Sequence, residues 1–323
     1  MADQGKHPIT LLTGFLGSGK TTLLSRLLAH PDMGETAVIV NELGEIPIDH
    51  HLVRSVDERT VVLGRGCVCC VMRGDLADEL RELVSRRSRG EIPHFRRVVV
   101  ETSGLADPAP VLYTLLTESV VKHHFALEAV VTTVDAVNGA GQLARQPESV
   151  KQAAAADRIV LTKIDLTSSE DVADIEQRIA VINPVAPLLR ARFGDVEPAL
   201  LFGGREPDPR ELELAEDAHA DDVHAFCVLL DKEVDWTAFG VWLTMLLAAH
   251  GEHILRVKGL LNVGDEGPLL LNGVQHIVHP PQHLDGWPDE DRRSRVVVIA
   301  RGVRRADVER SLAAFSRAAK AAA

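Results

Sequence analysis

The stretch Gly14-Phe-Leu-Gly-Ser-Gly-Lys20-Thr21-Thr22 decides how the first part of the chain folds. It fits the phosphate-binding pattern GxxxxGK[ST], in which a glycine-rich loop lets successive backbone N–H groups surround phosphate oxygens. Lys20 would neutralise the charge of the β and γ phosphates, and the Thr21 hydroxyl would ligate Mg²⁺. The stretch therefore predicts a nucleoside triphosphate ligand, bound by Gly14, Gly17, Ser18, Gly19, Lys20, Thr21 and Thr22.

The segments on either side of this loop follow the strand, loop and helix order that the motif requires. An apolar run, Ile9 to Leu12, precedes the loop and is typical of a strand. Behind the loop, leucines recur at helical spacing, at Leu23, Leu24, Leu27 and Leu28. The phosphates would thus lie at the positive end of a helix that packs against a sheet. A glycine-rich turn without a ligand is the alternative, and this order of elements disfavours it.

Composition narrows the class of protein. The 323 residues suffice for two domains, and the net charge of −12 disfavours a broad contact with nucleic acid or an anionic membrane. The first residues lack the apolar core of a signal peptide, and no apolar run is long enough to span a bilayer, so we expect a cytoplasmic protein. Three of the four cysteines crowd into one short segment, which is unlike a secreted disulfide framework.

The pattern of apolar runs predicts two domains and a linker. Up to about residue 205, short β-branched runs alternate with helical stretches, which is typical of a mostly parallel sheet covered by helices. The acidic, proline-containing segment 206–223 is predicted to be a linker. Residues 224–323 are predicted to form a smaller α+β domain. Its candidate elements are strands at Phe226–Leu230, Ile254–Leu261, Gln275–Val278 and Arg295–Ile299, and helices at Trp236–Ala249 and Ala306–Ala319.

A second phosphate-side element is predicted at Val98-Val-Val-Glu101-Thr-Ser-Gly104. Glu101 ends a hydrophobic run and could hold Mg²⁺ through water or orient the attacking water. Gly104 lies three residues on, where a loop that senses the γ-phosphate needs a small residue. The alternative is an acidic residue that merely ends a strand.

The segment Thr162-Lys163-Ile-Asp165 resembles the guanine-specificity element, whose usual form is Asn-Lys-x-Asp. Asp165 would accept hydrogen bonds from the N1–H and the amino group of guanine, and the stem of Lys163 would pack along the base. GTP is therefore favoured over ATP. Thr162 replaces the usual Asn, so we expect a weaker brace on the loop and some loss of affinity.

The cluster Cys67-Val-Cys69-Cys70 places three thiols within four residues, after the predicted strand Val61–Leu63. Three thiolates can converge on one metal ion, for which Zn²⁺ is the default and Co²⁺ or Fe²⁺ the alternatives. The motif supplies no fourth ligand, and an open position suits a metal that is passed on. Small buried side chains or a redox pair are the other interpretations.

Other candidate ligands are weaker. The segment Asn41-Glu42-Leu-Gly-Glu45 follows the second predicted strand, so its carboxylates could meet Mg²⁺ or the thiolate-bound metal, and it could act as a switch loop. Solvated loop acids are the alternative. Two groups of histidines could also bind metal, although most histidines do not: His219 and His224, and His276, His279 and His283.

Together these motifs resemble the CobW-type family of P-loop GTPases. The later segments Leu255-Arg-Val-Lys-Gly-Leu-Leu-Asn262, Gly273-Val-Gln-His276 and Trp287-Pro288 resemble the C-terminal domain of that family, so the resemblance covers nearly the whole chain. Two departures are visible: Leu43 stands where Phe is common, and the histidine-rich tract of many members is reduced to His219 and His224. The latter argues against metal storage.

The resemblance implies a GTP-hydrolysing metallochaperone that delivers its metal to a client metalloprotein or a cofactor-synthesis enzyme. Its cofactors would be GTP, Mg²⁺ and Zn²⁺, with Co²⁺ or Fe²⁺ possible, and its metal ligands Cys67, Cys69, Cys70, Glu42 and Thr21. Lys20, Thr21 and Glu101 would serve catalysis, in a protein that could be a homo-oligomer. The alternatives are a GTP-regulated docking protein with incidental hydrolysis and a small-molecule kinase, although a kinase leaves the cysteines unexplained.

Overall fold

The protein folds into two compact units in the computed structural model, which describes residues 5–40, 61–63, 74–203, 218–220, 223–264 and 267–322. The first unit comprises 1–176 and 186–205, and the second comprises 177–185 and 206–323. Our three-part division of the chain stays a prediction, because most of the linker lies outside the described residues.

A parallel sheet forms the centre of the first unit, which confirms the predicted P-loop α/β architecture. Seven described strands pair in the order β3-β2-β4-β1-β5-β6-β7, and every pairing is parallel. The strands are β1 (His7–Gly14), β2 (Thr36–Val40), β3 (Val61–Leu63), β4 (Arg97–Glu101), β5 (Phe125–Asp135), β6 (Arg158–Thr162) and β7 (Leu188–Arg190).

Helices connect these strands, as the right-handed crossovers of a parallel sheet require. A short 3₁₀ helix at Pro31–Met33 follows α1. The α-helices are α1 (Lys20–Leu28), α2 (Gly74–Ser88), α3 (Pro108–Thr117), α4 (Ser119–His124), α5 (Gly139–Arg145), α6 (Pro147–Ala155), α7 (Ser169–Ile182) and α8 (Pro198–Leu201). No helix among the described residues has the length and apolar character needed to cross a membrane.

The core of the first unit explains why the apolar runs form strands. Residues of both faces are buried along β4 and β6, as expected for central strands of a parallel sheet covered on both sides. The leucines of α1 pack against this sheet in a cluster that includes Leu12, Val99 and Val160. Helix α1 is thereby fixed at one end of β1, where the phosphate-binding loop joins them.

The second unit is an antiparallel sheet with two long helices. Its described strands pair in the order β12-β11-β10-β14-β9-β8, and β13 pairs with β11. They are β8 (Ala218–Ala220), β9 (Val223–Leu230), β10 (Ile254–Asn262), β11 (Pro268–Val274), β12 (Ile277–Val278), β13 (Gln282–His283) and β14 (Ser294–Arg301). Helices α9 (Trp236–His250) and α10 (Arg305–Ala322) share an apolar core with this sheet, and Trp242 Nε1 donates to Ser311 Oγ over 2.7 Å.

One strand prediction in this unit was wrong in its placement. We predicted a strand from Gln275 to Val278, but Gln275 has a left-handed φ of 51° and lies in the turn between β11 and β12. The longest strand that the sequence analysis missed is β11, which begins at a proline and contains Asn272 and Gly273. Those polar and small residues interrupt the alternation of apolar residues that would predict a strand. The segment is held in the sheet by its pairing with β10 rather than by the strand preference of its own residues. The short strands β8 and β13 were missed as well.

Candidate nucleotide site

The glycine-rich loop connects β1 to α1 in a conformation that only glycine adopts easily. Gly14, Gly17 and Gly19 have φ values of 142°, 73° and 91°. A Cβ atom on Gly14 would overlap Thr133 and come within 2.7 Å of Ser18 Oγ. The loop backbone therefore packs closely against β5.

Two hydroxyl contacts hold Ser18 in this loop. The side chains of Ser18 and Thr133 share a hydrogen bond of 2.6 Å, and the Thr162 hydroxyl donates to the backbone oxygen of Ser18 over 2.7 Å. Thr162 therefore braces the loop even though the amide of the usual Asn is missing. The sequence analysis expected a weaker brace at this position, but the hydroxyl reaches the loop directly.

Lys20 and Thr21 begin α1 beside the loop. Lys20 is buried, and its Nζ donates to the backbone oxygens of Gly14 and Phe15 over 2.9 and 3.3 Å. The Thr21 hydroxyl donates to Glu101 Oε1 over 2.9 Å. Glu101 is only 4% exposed, and it ends β4, the strand next to β1. The two predicted phosphate-side elements thus meet at Thr21 and Glu101.

The donor set at this point fits a magnesium ion. Mg²⁺ prefers oxygen ligands and is usually held in nucleotide sites by one or two protein oxygens together with the phosphates. A hydroxyl and a buried carboxylate within hydrogen-bond distance, beside a lysine, supply this chemistry. Thr21 and Glu101 are therefore the described residues that would hold the ion.

Gly104 lies against the glycine-rich loop, as a phosphate-sensing residue would need to. A Cβ atom on Gly104 would come within 2.6 Å of the backbone nitrogen of Leu16. The backbone oxygens of Gly104 and Ala106 accept hydrogen bonds from the fully buried Gln152 amide, over 3.1 and 3.0 Å. No residue larger than glycine fits this place without a shift of the loop.

The predicted base-binding residues follow β6. Lys163 has a left-handed φ of 58°, and its ammonium donates to Asp135 Oδ2 over 2.7 Å. Burial alone would raise the pKa of Asp135. Hydrogen bonds from Lys163, Asn138 and the Val137 N–H, together with the charge of Lys163, outweigh it and lower that pKa below 3.8. Asp135 is therefore an anion that fixes the lysine stem.

Asp165 is the described residue best suited to read a base. Its Oδ1 atom is buried and has no hydrogen-bond partner among the described residues. An unsatisfied buried carboxylate oxygen is costly, and a ligand that donates hydrogen bonds would satisfy it. The N1–H and amino group of guanine are donors of this kind, so the side chain fits the predicted ligand.

The predicted transition-metal ligands Glu42, Cys67, Cys69 and Cys70 lie outside the described residues. The strands that lead to them are described. Val40, the last residue of β2, pairs with Glu101, and Leu63, the last residue of β3, pairs with Ile39. Both segments therefore leave the sheet at the same edge as the Thr21–Glu101 contact.

The candidate histidines whose side chains the structure describes do not form a metal site. Within the described ranges, no group of three or more His, Cys, Asp or Glu side chains is placed to hold a metal ion. His276, His279 and His283 lie around β12 and β13 without forming such a group. The side chain of His219 lies outside the described residues.

Sequence reasoning missed three residues that support the site: Thr133, Asp135 and Gln152. Asp135 carries the signal that identified Glu101, a carboxylate at the end of an apolar strand. Gln152 precedes a run of alanines in α6 and is 0% exposed. A polar side chain next to an apolar run is a signal that could have suggested its burial. Thr133 carries no signal, because a threonine in a buried strand is ordinary.

This combination of a parallel sheet, a glycine-rich loop at the start of a helix and a carboxylate on the neighbouring strand defines a P-loop nucleotide-binding protein. The chain belongs to the CobW family: residues 8–190 match the CobW/HypB/UreG nucleotide-binding domain, and residues 223–316 match the cobalamin synthesis protein cobW C-terminal domain.

Curated relatives and a solved structure match nearly the whole chain. It is 34% identical over 301 residues to the zinc chaperone YjiA of Escherichia coli, covering 90% of this chain and 93% of the relative. It is 30% identical over 341 residues to the zinc chaperone CobW of a Sinorhizobium species, covering 92% and 94%. The crystal structure of Zn(II)-bound YjiA GTPase from E. coli superposes with a TM-score of 0.72 at 28% identity, covering 96% and 99%.

Proposed function

We propose that this protein is a GTP-hydrolysing metallochaperone that binds Zn²⁺ through Cys67, Cys69 and Cys70 and delivers it to a client. Relatives of similar length are named zinc chaperones, and a similar solved protein is a Zn(II)-bound GTPase. The recipient would be a metalloprotein or a cofactor-synthesis enzyme. The protein would act in the cytoplasm, where thiols stay reduced.

Some residues of the site would position the phosphates and the attacking water, and others would neutralise the charge of the phosphates. The loop N–H groups and Lys20 would bind the phosphates, and Thr21 and Glu101 would hold a magnesium ion, whose charge would offset that of the β and γ phosphates. Glu101 would also orient the attacking water, because its hydrogen bond with Thr21 holds the carboxylate beside the phosphate-binding loop. Gly104 contributes its backbone to recognition of the γ-phosphate.

Base selection would come from the loop after β6. Asp165 accepts hydrogen bonds from guanine, and the Lys163 stem packs along the ring while Asp135 holds its ammonium. Adenine offers an acceptor at N1 where guanine offers a donor, so Asp165 would disfavour ATP.

The observation that carries the link between nucleotide and metal is the pairing of Val40 with Glu101 and of Ile39 with Leu63. The segment with Glu42 follows the end of β2, next to Glu101, and the segment with the cysteines follows the end of β3, one strand further along the sheet. Bound GTP and Mg²⁺ would order both segments into a tight metal site, and hydrolysis would release them. Because such coupling is reciprocal, bound metal must also change GTP binding.

The test is steady-state phosphate release from GTP and from ATP, each with and without Zn²⁺. It compares the wild type with the triple variant Cys67→Ser, Cys69→Ser, Cys70→Ser, and with Cys227→Ala as the matched control, since Cys227 lies in β9 of the second unit. We expect GTP to be preferred and its turnover to respond to Zn²⁺ in the wild type and the control only. Equal turnover of ATP would contradict the base assignment, and a Zn²⁺ response that survives in the triple variant would contradict the metal assignment.

A further inference from the structure

Phe193 combines two unfavourable features at the rim of the nucleotide site. The residue is 66% exposed, and its backbone has a left-handed φ of 53°. A left-handed conformation is uncommon for a bulky residue with a Cβ atom. An aromatic ring that is exposed to water contributes no hydrophobic stabilisation to the fold. Backbone strain of this kind concentrates at ligand-binding sites.

A tight turn holds Phe193 in this conformation. The backbone N–H of Asp195 donates to the oxygen of Arg192 over 2.9 Å, and the same two residues form an antiparallel bridge. Phe193 and Gly194, the two central residues, both have positive φ, of 53° and 75°, as in a type I′ turn. The ring is thus presented from a closed turn rather than from a long loop.

The turn is anchored on both sides to elements of the nucleotide site. A Cβ atom on Gly194 would lie 3.1 Å from the backbone oxygen of Thr22 and 3.2 Å from Leu23, so the turn packs on the first turn of α1. On the other side, the Ala191 N–H donates to the oxygen of Leu161 over 2.8 Å. Since β7 runs parallel to β6, the turn leaves the sheet at the edge from which Thr162–Asp165 emerges.

We propose that the Phe193 ring stacks on the guanine base, an inference that rests on the proposed function. Asp165 reads the edge of the base, and its satisfied hydrogen bonds give specificity. The flat faces of the base need apolar partners, and an exposed aromatic residue on a turn that packs on α1 and follows the strand next to β6 can supply one. Base–aromatic stacking is tolerant of base identity because every base has a π face.

This division of roles gives Phe193 a signature that a merely structural residue lacks. Loss of the ring should weaken guanine and hypoxanthine nucleotides by the same factor, because both bases offer the same face. It should leave inorganic tripolyphosphate unaffected, since that ligand has no base. A residue that only supports α1 would instead weaken all three ligands.

The experiment measures the dissociation constants of GDP, IDP and tripolyphosphate by calorimetry for the full chain. Phe193→Ala is expected to weaken GDP and IDP alike by about 5- to 100-fold. Phe193→Trp should keep the wild-type affinity, whereas Phe193→Leu should resemble the alanine variant. Val120→Ala is the matched control, because Val120 is 40% exposed on α4, which precedes β5 at the opposite edge of the sheet.

Wild-type affinity of the alanine or leucine variant for GDP would overturn the stacking proposal, as would an equal loss of tripolyphosphate binding. If the wild type itself did not bind GDP, the proposed function would fail instead. The two failures are therefore distinguishable in one set of titrations.

Discussion

The hydroxyl of Thr21 donates a hydrogen bond to Glu101 Oε1 over 2.9 Å, across 80 positions of sequence. The contact joins the first turn of α1 to the end of β4 and places a carboxylate beside the phosphate-binding loop. Both residues were predicted from separate motifs, and the parallel pairing of β1 with β4 brings the motifs together.

Replacement of Glu101 by Gln should separate catalysis from binding. The amide keeps the size of the side chain but loses the charge that holds Mg²⁺ and orients water, so we expect kcat for GTP to fall about 100-fold or more. The affinity for GDP should change little, because the loop backbone and Lys20 provide most phosphate contacts. Stopped-flow phosphate release and GDP titration measure the two quantities. Unchanged kcat would remove Glu101 from the catalytic set.

Thr162 should stabilise the loop through its hydroxyl. In Thr162→Val the backbone oxygen of Ser18 loses a buried donor, and we expect the free energy of unfolding to fall by about 1–3 kcal/mol. GDP affinity should fall with it, since the loop is less fixed. Thr162→Ser keeps the hydroxyl and serves as the control, with stability close to that of the wild type. Urea unfolding compares the three proteins, and a loss in Thr162→Ser without a loss in Thr162→Val would show that the methyl group matters instead of the hydroxyl.

Gly104 should tolerate no side chain. A methyl group would meet the backbone of Leu16 at 2.6 Å, so Gly104→Ala must shift one of two loops that face the phosphates. We expect GTP turnover to fall about 10-fold or more, because small displacements of positioning groups are costly to catalysis.

The matched control is Gly240→Ala in α9, where a Cβ atom would meet nothing within 4 Å. Alanine is the better helix former, so this variant should gain about 0.5–1 kcal/mol of stability with unchanged turnover. Normal turnover in Gly104→Ala would contradict the packing that we describe.

Asp165→Asn should change base preference rather than abolish binding. An asparagine amide can accept from the N1–H of a purine and donate to a carbonyl at C2, so it matches xanthine better than guanine. We expect GTP affinity to fall and XTP affinity to rise in competition titrations. A variant that still prefers GTP would show that Asp165 does not read the base.

The ion pair of Asp135 with Lys163 should give a defined pH dependence. The pKa of Asp135 is lower in the folded state than its ordinary value, so the unfolded state binds the proton more readily than the folded state does. The stability that the carboxylate contributes is complete well above pH 3.8 and is lost as the pH falls through the folded pKa.

Urea unfolding of the wild type and Asp135→Asn at pH 7, 5, 4 and 3 measures this contribution. The wild type should be more stable at pH 7 and 5, and the difference should shrink only below about pH 4. A difference that is constant down to pH 3 would mean that the charge of Asp135 contributes nothing.

The sequence predicted the P-loop fold because its signals are local. Glycines at positions 14, 17 and 19, a lysine, and buried apolar runs each act within a few residues, and they predicted the mostly parallel sheet that the structure shows. The supports of the site depend on contacts between distant parts of the chain, 28 positions apart for Asp135 with Lys163 and 115 for Thr133 with Ser18, which no local pattern encodes. Strand β11 was missed for the same reason, since pairing with β10 defines it.

The central claim is that nucleotide state sets metal affinity, and one measurement tests it most directly. Zn²⁺ affinity is determined by competition with a chromophoric chelator in the presence of Mg²⁺, with a non-hydrolysable GTP analogue, with GDP and without nucleotide. We predict the tightest Zn²⁺ binding with the GTP analogue, and no difference among the three states in the Cys67, Cys69, Cys70 triple serine variant. Equal Zn²⁺ affinity of the wild type in all three states would contradict the account, and would favour a protein whose docking, rather than metal delivery, is regulated by GTP.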